Sequence, residues 1–187
     1  MNYIQTIENA GGILRGHFLL TSGRHSDTYM QCAKLFVHPA ESEKLCKDLS
    51  LQLKEFNADI VVSPAIGGII MGYEMARQLG VPNFFAEREN GQMTLRRGFE
   101  LKPTSRVIVV EDVVTTGGSV KEVIALVRAL GAEPVAVASI VDRSAGAVDF
   151  GIPYRALLSV EVKSYEPNQC PLCKEGKTPP YKPGSRT

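Results

Sequence analysis

A chain of 187 residues, 44% apolar and 22% charged, has the make-up of a single globular domain with a substantial buried core. Its 21 basic and 20 acidic residues nearly cancel, so it lacks the charge signature of a nucleic-acid or membrane-surface binder. No apolar run approaches the length of a membrane span and the first residues lack a signal-peptide core, so a cytoplasmic protein with reduced Cys32, Cys46, Cys170 and Cys173 is expected.

Residues 2–10 read as a short helix with Ile4 and Ile7 turned inward, stopped by Gly11-Gly12. The run 13–20, the Ser22-Gly23 turn signal and a return strand over 28–32 describe a hairpin. Pro39, at a tolerated first position, opens a helix whose buried stripe is Leu45, Leu49, Leu53 and Phe56. His38 has no partner at metal-ligand spacing and reads as a solvated helix entry. Residues 60–63 form a strand, 64–68 its glycine-bearing exit loop, and 69–79 a helix ended by Gly80 with Pro82 beyond. A short strand at 84–86 leads into residues 87–101, a charged segment with two glycines and no clear period, which reads as a long functional loop.

Residues 106–119, RVIVVEDVVTTGGS, are the centre of the chain. Val107, Ile108, Val109 and Val110 are apolar on both faces, as in a central parallel strand covered by helices on each side. Two acids, Glu111 and Asp112, then Val113-Val114, precede the cluster Thr115-Thr116-Gly117-Gly118-Ser119, and a helix follows over 120–130. Strand, glycine turn and helix N-terminus together make an anion site, in which backbone N–H groups and three hydroxyls can surround a phosphate monoester. Carboxylates repel phosphate but accept hydrogen bonds from sugar hydroxyls, directly or through Mg²⁺, so the expected ligand is a ribose 5-phosphate unit. No Walker pattern and no spaced G-x-G-x-x-G occurs.

Beyond that helix, residues 134–141 form a further strand ending in Asp142-Arg143, where the planar fork of an arginine suits a carboxylate. Residues 154–160 supply a last strand. The glycine loop at 64–68 belongs to the same crevice, at the carboxyl ends of the strands. The tail 166–187 turns rich in Pro, Gly and Lys, and its Cys170-x-x-Cys173 is half of a tetrahedral zinc site with no second pair in the tail. It reads as an extended strap that binds no metal. The fold class is α/β, a mainly parallel sheet flanked by helices.

Residues 107–119 resemble, position by position, the phosphoribosyl-pyrophosphate signature of type I phosphoribosyltransferases, and residues 1–165 are most similar to the orotate phosphoribosyltransferases. The resemblance implies Mg²⁺-dependent transfer of ribose 5-phosphate from phosphoribosyl pyrophosphate to orotate. It also implies a homodimer with shared active sites and a small hood over residues 1–36. Glu111 and Asp112 would then serve the ribose and the metal's water shell, with residues 113–119 on the 5′-phosphate and Gly67 and Gly68 on the pyrophosphate. Arg143, Arg24 and Thr115 would meet orotate, Tyr29 and Met30 could pack on its ring, and Arg88 would act from the mobile loop over 87–101. The sequence departs from the family pattern at four places: Thr21 replaces a basic residue, Gly67 stands where many orotate enzymes carry lysine, Glu89 follows Arg88, and the loop lysines and histidine are absent. Arg96 and Arg97 are the other cations of that loop. A purine or xanthine transferase is the alternative within this fold, and a non-catalytic sensor of phosphoribosyl pyrophosphate the alternative outside enzymes. No DNA-binding segment with a basic face is evident to support the sensor.

Overall fold

The computed structural model describes residues 2–20 and 22–183, so Thr21 lies outside the described residues. The chain opens with helix α1 (Tyr3–Asn9) and a hairpin of β1 (Ile13–Leu19) and β2 (His25–Met30), then enters α2 (Pro39–Leu51). There follow β3 (Ile60–Pro64), α3 (Gly68–Leu79), β4 (Asn83–Glu89) and β5 (Gln92–Leu95). The rest is β6 (Arg106–Val114), α4 (Gly118–Ala129), β7 (Glu133–Asp142), β8 (Tyr154–Ser159) and a short α5 (Pro171–Glu175).

The main sheet has the order β5-β4-β3-β6-β7-β8, parallel throughout except for the β4–β5 pair at one edge. Its centre follows from the apolar run in β6. Successive side chains of a strand point to opposite faces, and all four of these are fully buried. Ile108 and Val110 pack with Leu45, Leu49, Met71 and Met75 of α2 and α3. Val107 and Val109 pack with Val120, Val123, Ile124 and Val127 of α4. Each such side chain contributes about 1.5–3 kcal/mol by leaving water, which is why a run without polar alternation specifies this central position.

Three readings change in the structure. Ile7 is buried, but Ile4 is 42% exposed, because a seven-residue helix buries only one narrow face. The return strand of the hairpin begins at His25, opposite Leu19, instead of at residue 28. Residues 87–101 do not form an open loop: β4 runs on through Glu89, turns at Asn90-Gly91, and returns as β5. Both turn residues have positive φ, 50° and 83°, the conformation that an Asn-Gly pair adopts in a two-residue hairpin.

The tail is not free of the domain. Tyr165 pairs with His25 and Tyr181 with Phe18, so the C-terminal segment adds backbone pairing to both edges of the β1–β2 hairpin. This brings His17 and His25 beside Cys170 and Cys173. The tail itself holds no second pair, but the fold sets beside the cysteines two histidines from a segment some 150 residues earlier, which spacing within the tail cannot show. No helix among the described residues is long and apolar enough to cross a membrane.

Candidate active site

Parallel strands bring the carboxyl ends of β3, β6 and β7 to one edge. The loop after β6 leads straight into α4, with Gly117 at φ 72° as the residue before the helix. A side chain at 117 would meet Phe150 and Val148 at 2.8 Å, so glycine is required there on two counts, backbone conformation and space. Residues Glu111, Val113, Val114 and Thr115–Val120 line a polar cleft of about 220 Å³. A larger cleft of about 410 Å³ lies around Asp59, Pro82 and Lys102–Ser105, at the amino ends of the strands, away from these groups.

Glu111 and Asp112 both lie within β6, which continues past the apolar run to Val114. Asp112 Oδ1 accepts from the N–H of Val113 at 2.9 Å. The glycines after β3 pack directly against the acids. A Cβ at Gly67 would stand 3.4 Å from Asp112 Oδ1, and one at Gly68 would stand 3.2 Å from Glu111 Oε1 and 3.1 Å from Ser63 Cβ. The two glycine loops thus face one crevice, and the N-terminus of α3 meets the carboxylates. Burial, then the neighbouring Asp112 charge, pushes the Glu111 carboxyl up to about 8, and burial raises Asp112 as well. Such a pair gains from any cation or hydroxyl donor that enters.

Residues 34–164 match the phosphoribosyl transferase domain family. Orotate phosphoribosyltransferase of Caldanaerobacter subterraneus subsp. tengcongensis is 56% identical over 183 residues, spanning 98% of this chain and 96% of that one. The chain belongs to the orotate phosphoribosyltransferase family. The protein of that name from Thermotoga maritima is 52% identical over 182 residues, 97% of each chain. The crystal structure of orotate phosphoribosyltransferase from Aeropyrum pernix aligns with a TM-score of 0.73 at 26% identity, over 86% of this chain and 94% of that one.

Against that orotate phosphoribosyltransferase frame, the remaining residues divide. Arg143 leaves the end of β7, its N–H bonded to Val114 O at 2.8 Å, which sets it beside the Thr115–Ser119 loop. Its Nε is buried with no hydrogen-bond partner among the described residues, and burial holds its guanidinium below its ordinary pKa. Tyr29 and Cys32 are its ionisable neighbours, which brings the hairpin's end to the same crevice. Asp142 fixes the turn that carries Arg143, accepting from Ser144 N at 2.7 Å, Ser144 Oγ at 2.6 Å and Gly146 N at 3.1 Å. Burial raises its carboxyl, but these bonds outweigh burial and hold it below the usual range.

Arg24 does not offer a free fork to a ligand. It donates to Ser164 Oγ and Ser164 O, both at 2.8 Å, and pairs with Glu166. In this arrangement it ties the hairpin to the tail. Met30 is buried in the core, 5% exposed, whereas Tyr29 stacks at a tilt on Phe18 with ring centres 5.7 Å apart. Arg88 pairs with Glu122 of α4 at 2.7 Å, Arg97 with Glu87 at 2.7 Å and Arg96 with Glu89 at 3.4 Å. Each loop cation therefore has an acid of this chain beside it. Cys32 escaped the sequence reading: its thiol is fully enclosed near Asp112 and Arg143, and burial pushes it up to about 12, so it serves as a neutral wall. Nothing local marks Cys32, since it opens a 3-10 turn (Cys32–Val37) with the buried Leu35 and Phe36 and looks like core.

Proposed function

We propose that this chain transfers ribose 5-phosphate from phosphoribosyl pyrophosphate to N1 of orotate, giving orotidine 5′-monophosphate and pyrophosphate, a step of pyrimidine biosynthesis in the cytoplasm. The observation that carries the reading is the Glu111–Asp112 pair, Asp112 buried and Glu111 half-buried, at the lip of the Thr115–Ser119 loop. Backbone N–H groups and hydroxyls of residues 115–119, with Val113 and Val114 below them, receive the 5′-phosphate. Glu111 and Asp112 accept from the ribose hydroxyls. Arg143, a half-buried cation whose enclosed Nε lacks a partner among the described residues, takes the orotate carboxylate as a bidentate pair, with Thr115 beside the base.

The anomeric carbon gains oxocarbenium character as pyrophosphate departs. The protein's work is to hold N1 of orotate against that carbon, exclude water, and meet the charge on the leaving group. Backbone N–H groups at Gly67 and Gly68 and the cations Arg88, Arg96 and Arg97 supply that charge complement. The donor set suits Mg²⁺, because two enclosed carboxylates of raised pKa gain from a hard cation whose water shell they bind. When bound, the ion adds positive charge at the pyrophosphate oxygens.

The active form is a two-fold dimer. Ile66, Ile70 and Tyr73, on the loop and first turns of α3, are 85%, 57% and 64% exposed and make one apolar stripe beside the crevice, which a second copy would cover. The β4–β5 arm over residues 87–101 would then reach the partner's site. A fall in orotate absorbance after phosphoribosyl pyrophosphate and Mg²⁺ are added tests the reaction. No fall with orotate, but turnover of adenine or xanthine, would reassign the base.

A further inference from the structure

His17 on β1 and His25 on β2 are 5% and 6% exposed, deeply buried for imidazoles on a small hairpin. Cys170, fully buried, and Cys173 complete a group whose four ligand atoms all lie within 4.8 Å of one another. His17 Nε2 is 3.0 Å from His25 Nδ1, 3.6 Å from Cys170 Sγ and 3.7 Å from Cys173 Sγ, while His25 Nδ1 is 3.2 Å from Cys173 Sγ. A tetrahedral ion bonded at about 2.3 Å to sulfur and about 2.0 Å to nitrogen needs N···S edges of about 3.5 Å and an N···N edge of about 3.3 Å. The three N···S spacings straddle their value, and the N···N spacing falls a little short of its own. We propose that His17, His25, Cys170 and Cys173 form a structural Zn²⁺ site that clips the C-terminal segment onto the N-terminal hairpin.

Two further observations point the same way. His17 Nδ1 lies 2.8 Å from the carbonyl oxygen of Thr178, and only an N–H can donate there. The proton is thereby fixed on Nδ1, and the Nε2 lone pair is turned to the cluster, as the outer hydrogen bond of a metal-bound histidine does. The second observation is that the tail has almost nothing to bury. Among described residues 166–183, Cys170 alone is buried. Hydrophobic burial cannot offset the entropy of ordering such a segment, whereas metal ligation supplies ordering free energy directly. Two thiolates and two imidazoles select zinc over magnesium or calcium, and four protein ligands leave no open position for substrate. The ion is a clip and takes no part in the transfer reaction.

The test uses the full chain, untagged, from zinc-supplemented cells and purified without chelator. Elemental analysis should give about one zinc per chain, and Cys173→Ser, at the exposed ligand where folding is least at risk, should lose most of it. Cobalt in place of zinc should give the intense visible bands of a tetrahedral thiolate site. Removing zinc from the intact protein should make Lys174 and Lys177 the fastest trypsin sites. The site is overturned by less than about a tenth of a zinc per chain together with weak, octahedral cobalt spectra, or by one zinc per chain that Cys173→Ser leaves in place.

Discussion

The crevice and the hairpin–tail cluster both gather ionisable side chains, and they are assembled in opposite ways. Glu111 and Asp112 are chain neighbours: burial and then the Asp112 charge raise Glu111, burial raises Asp112 while the Glu111 hydrogen bond lowers it, and no cation is among the groups acting on them. The histidine–cysteine cluster draws its members from both ends of the chain and satisfies its own geometry. One site is left incomplete for a substrate to finish; the other is closed. An acid pair with no resident cation is therefore a sign of chemistry, and a converging set of soft donors a sign of construction.

That contrast breaks most sharply at Asp112. Asp112→Asn should lower kcat by roughly 10²–10³, the range for removing a preorganised electrostatic group, while zinc content stays as in the parent protein. Steady-state kinetics with elemental analysis on one preparation check both halves, and an unchanged kcat would remove Asp112 from the machinery. Next in size is Arg143→Ala, which should raise KM for orotate about 10- to 100-fold, the worth of a charge-assisted hydrogen bond to a carboxylate. Competition by uracil should change little. An intact KM would put the carboxylate elsewhere.

Subunit mixing sharpens the comparison, because it asks whether the open site is completed within one chain. Arg88→Ala and Asp112→Asn, each nearly inactive alone, should together recover roughly a quarter of wild-type activity if loops act across the two-fold axis. The Arg88–Glu122 pair lies within one chain, so a loop that stays on its own site would leave the mixture inactive despite demonstrated exchange. The smallest effect is on pH dependence. Glu111 titrates near 8 in the folded protein, above its ordinary 4.5, so the folded state penalises its charged form. Stability from this group is full below about pH 4.5, declines as pH rises through the interval, and levels off above about pH 8. Urea unfolding across that range should show the decline, and saturating Mg²⁺ with phosphoribosyl pyrophosphate should flatten it. A stability curve rising over the interval would contradict the enclosed pair.

What could be read from the sequence was what is local. The run 107–119 specified its strand, its turn and its helix because apolar side chains on both faces, adjacent acids and Gly117 each act through near neighbours. The antiparallel edge was equally local and was missed: Asn90-Gly91 is a hairpin signal, but the surrounding charges have no period that would announce strands. The partners of Cys170 and Cys173 were beyond such reading. His17 and His25 reach them only because the tail pairs with both strands of the hairpin, a contact that no window of the sequence contains. Arg24 illustrates the same limit, since its fork is occupied by Ser164 and Glu166 from the far end of the chain.

The three arginines of the β4–β5 arm each rest against a glutamate, Arg88 on Glu122, Arg97 on Glu87 and Arg96 on Glu89. Those glutamates act as resident counter-ions. If the arm takes the pyrophosphate as proposed, loading it is an ion exchange: the incoming oxygens would displace carboxylates into water and would leave by the reverse swap. Such an arm would keep its cations assembled without inviting every stray anion, and it would discriminate by valence, since only a ligand carrying several charges displaces several glutamates at once.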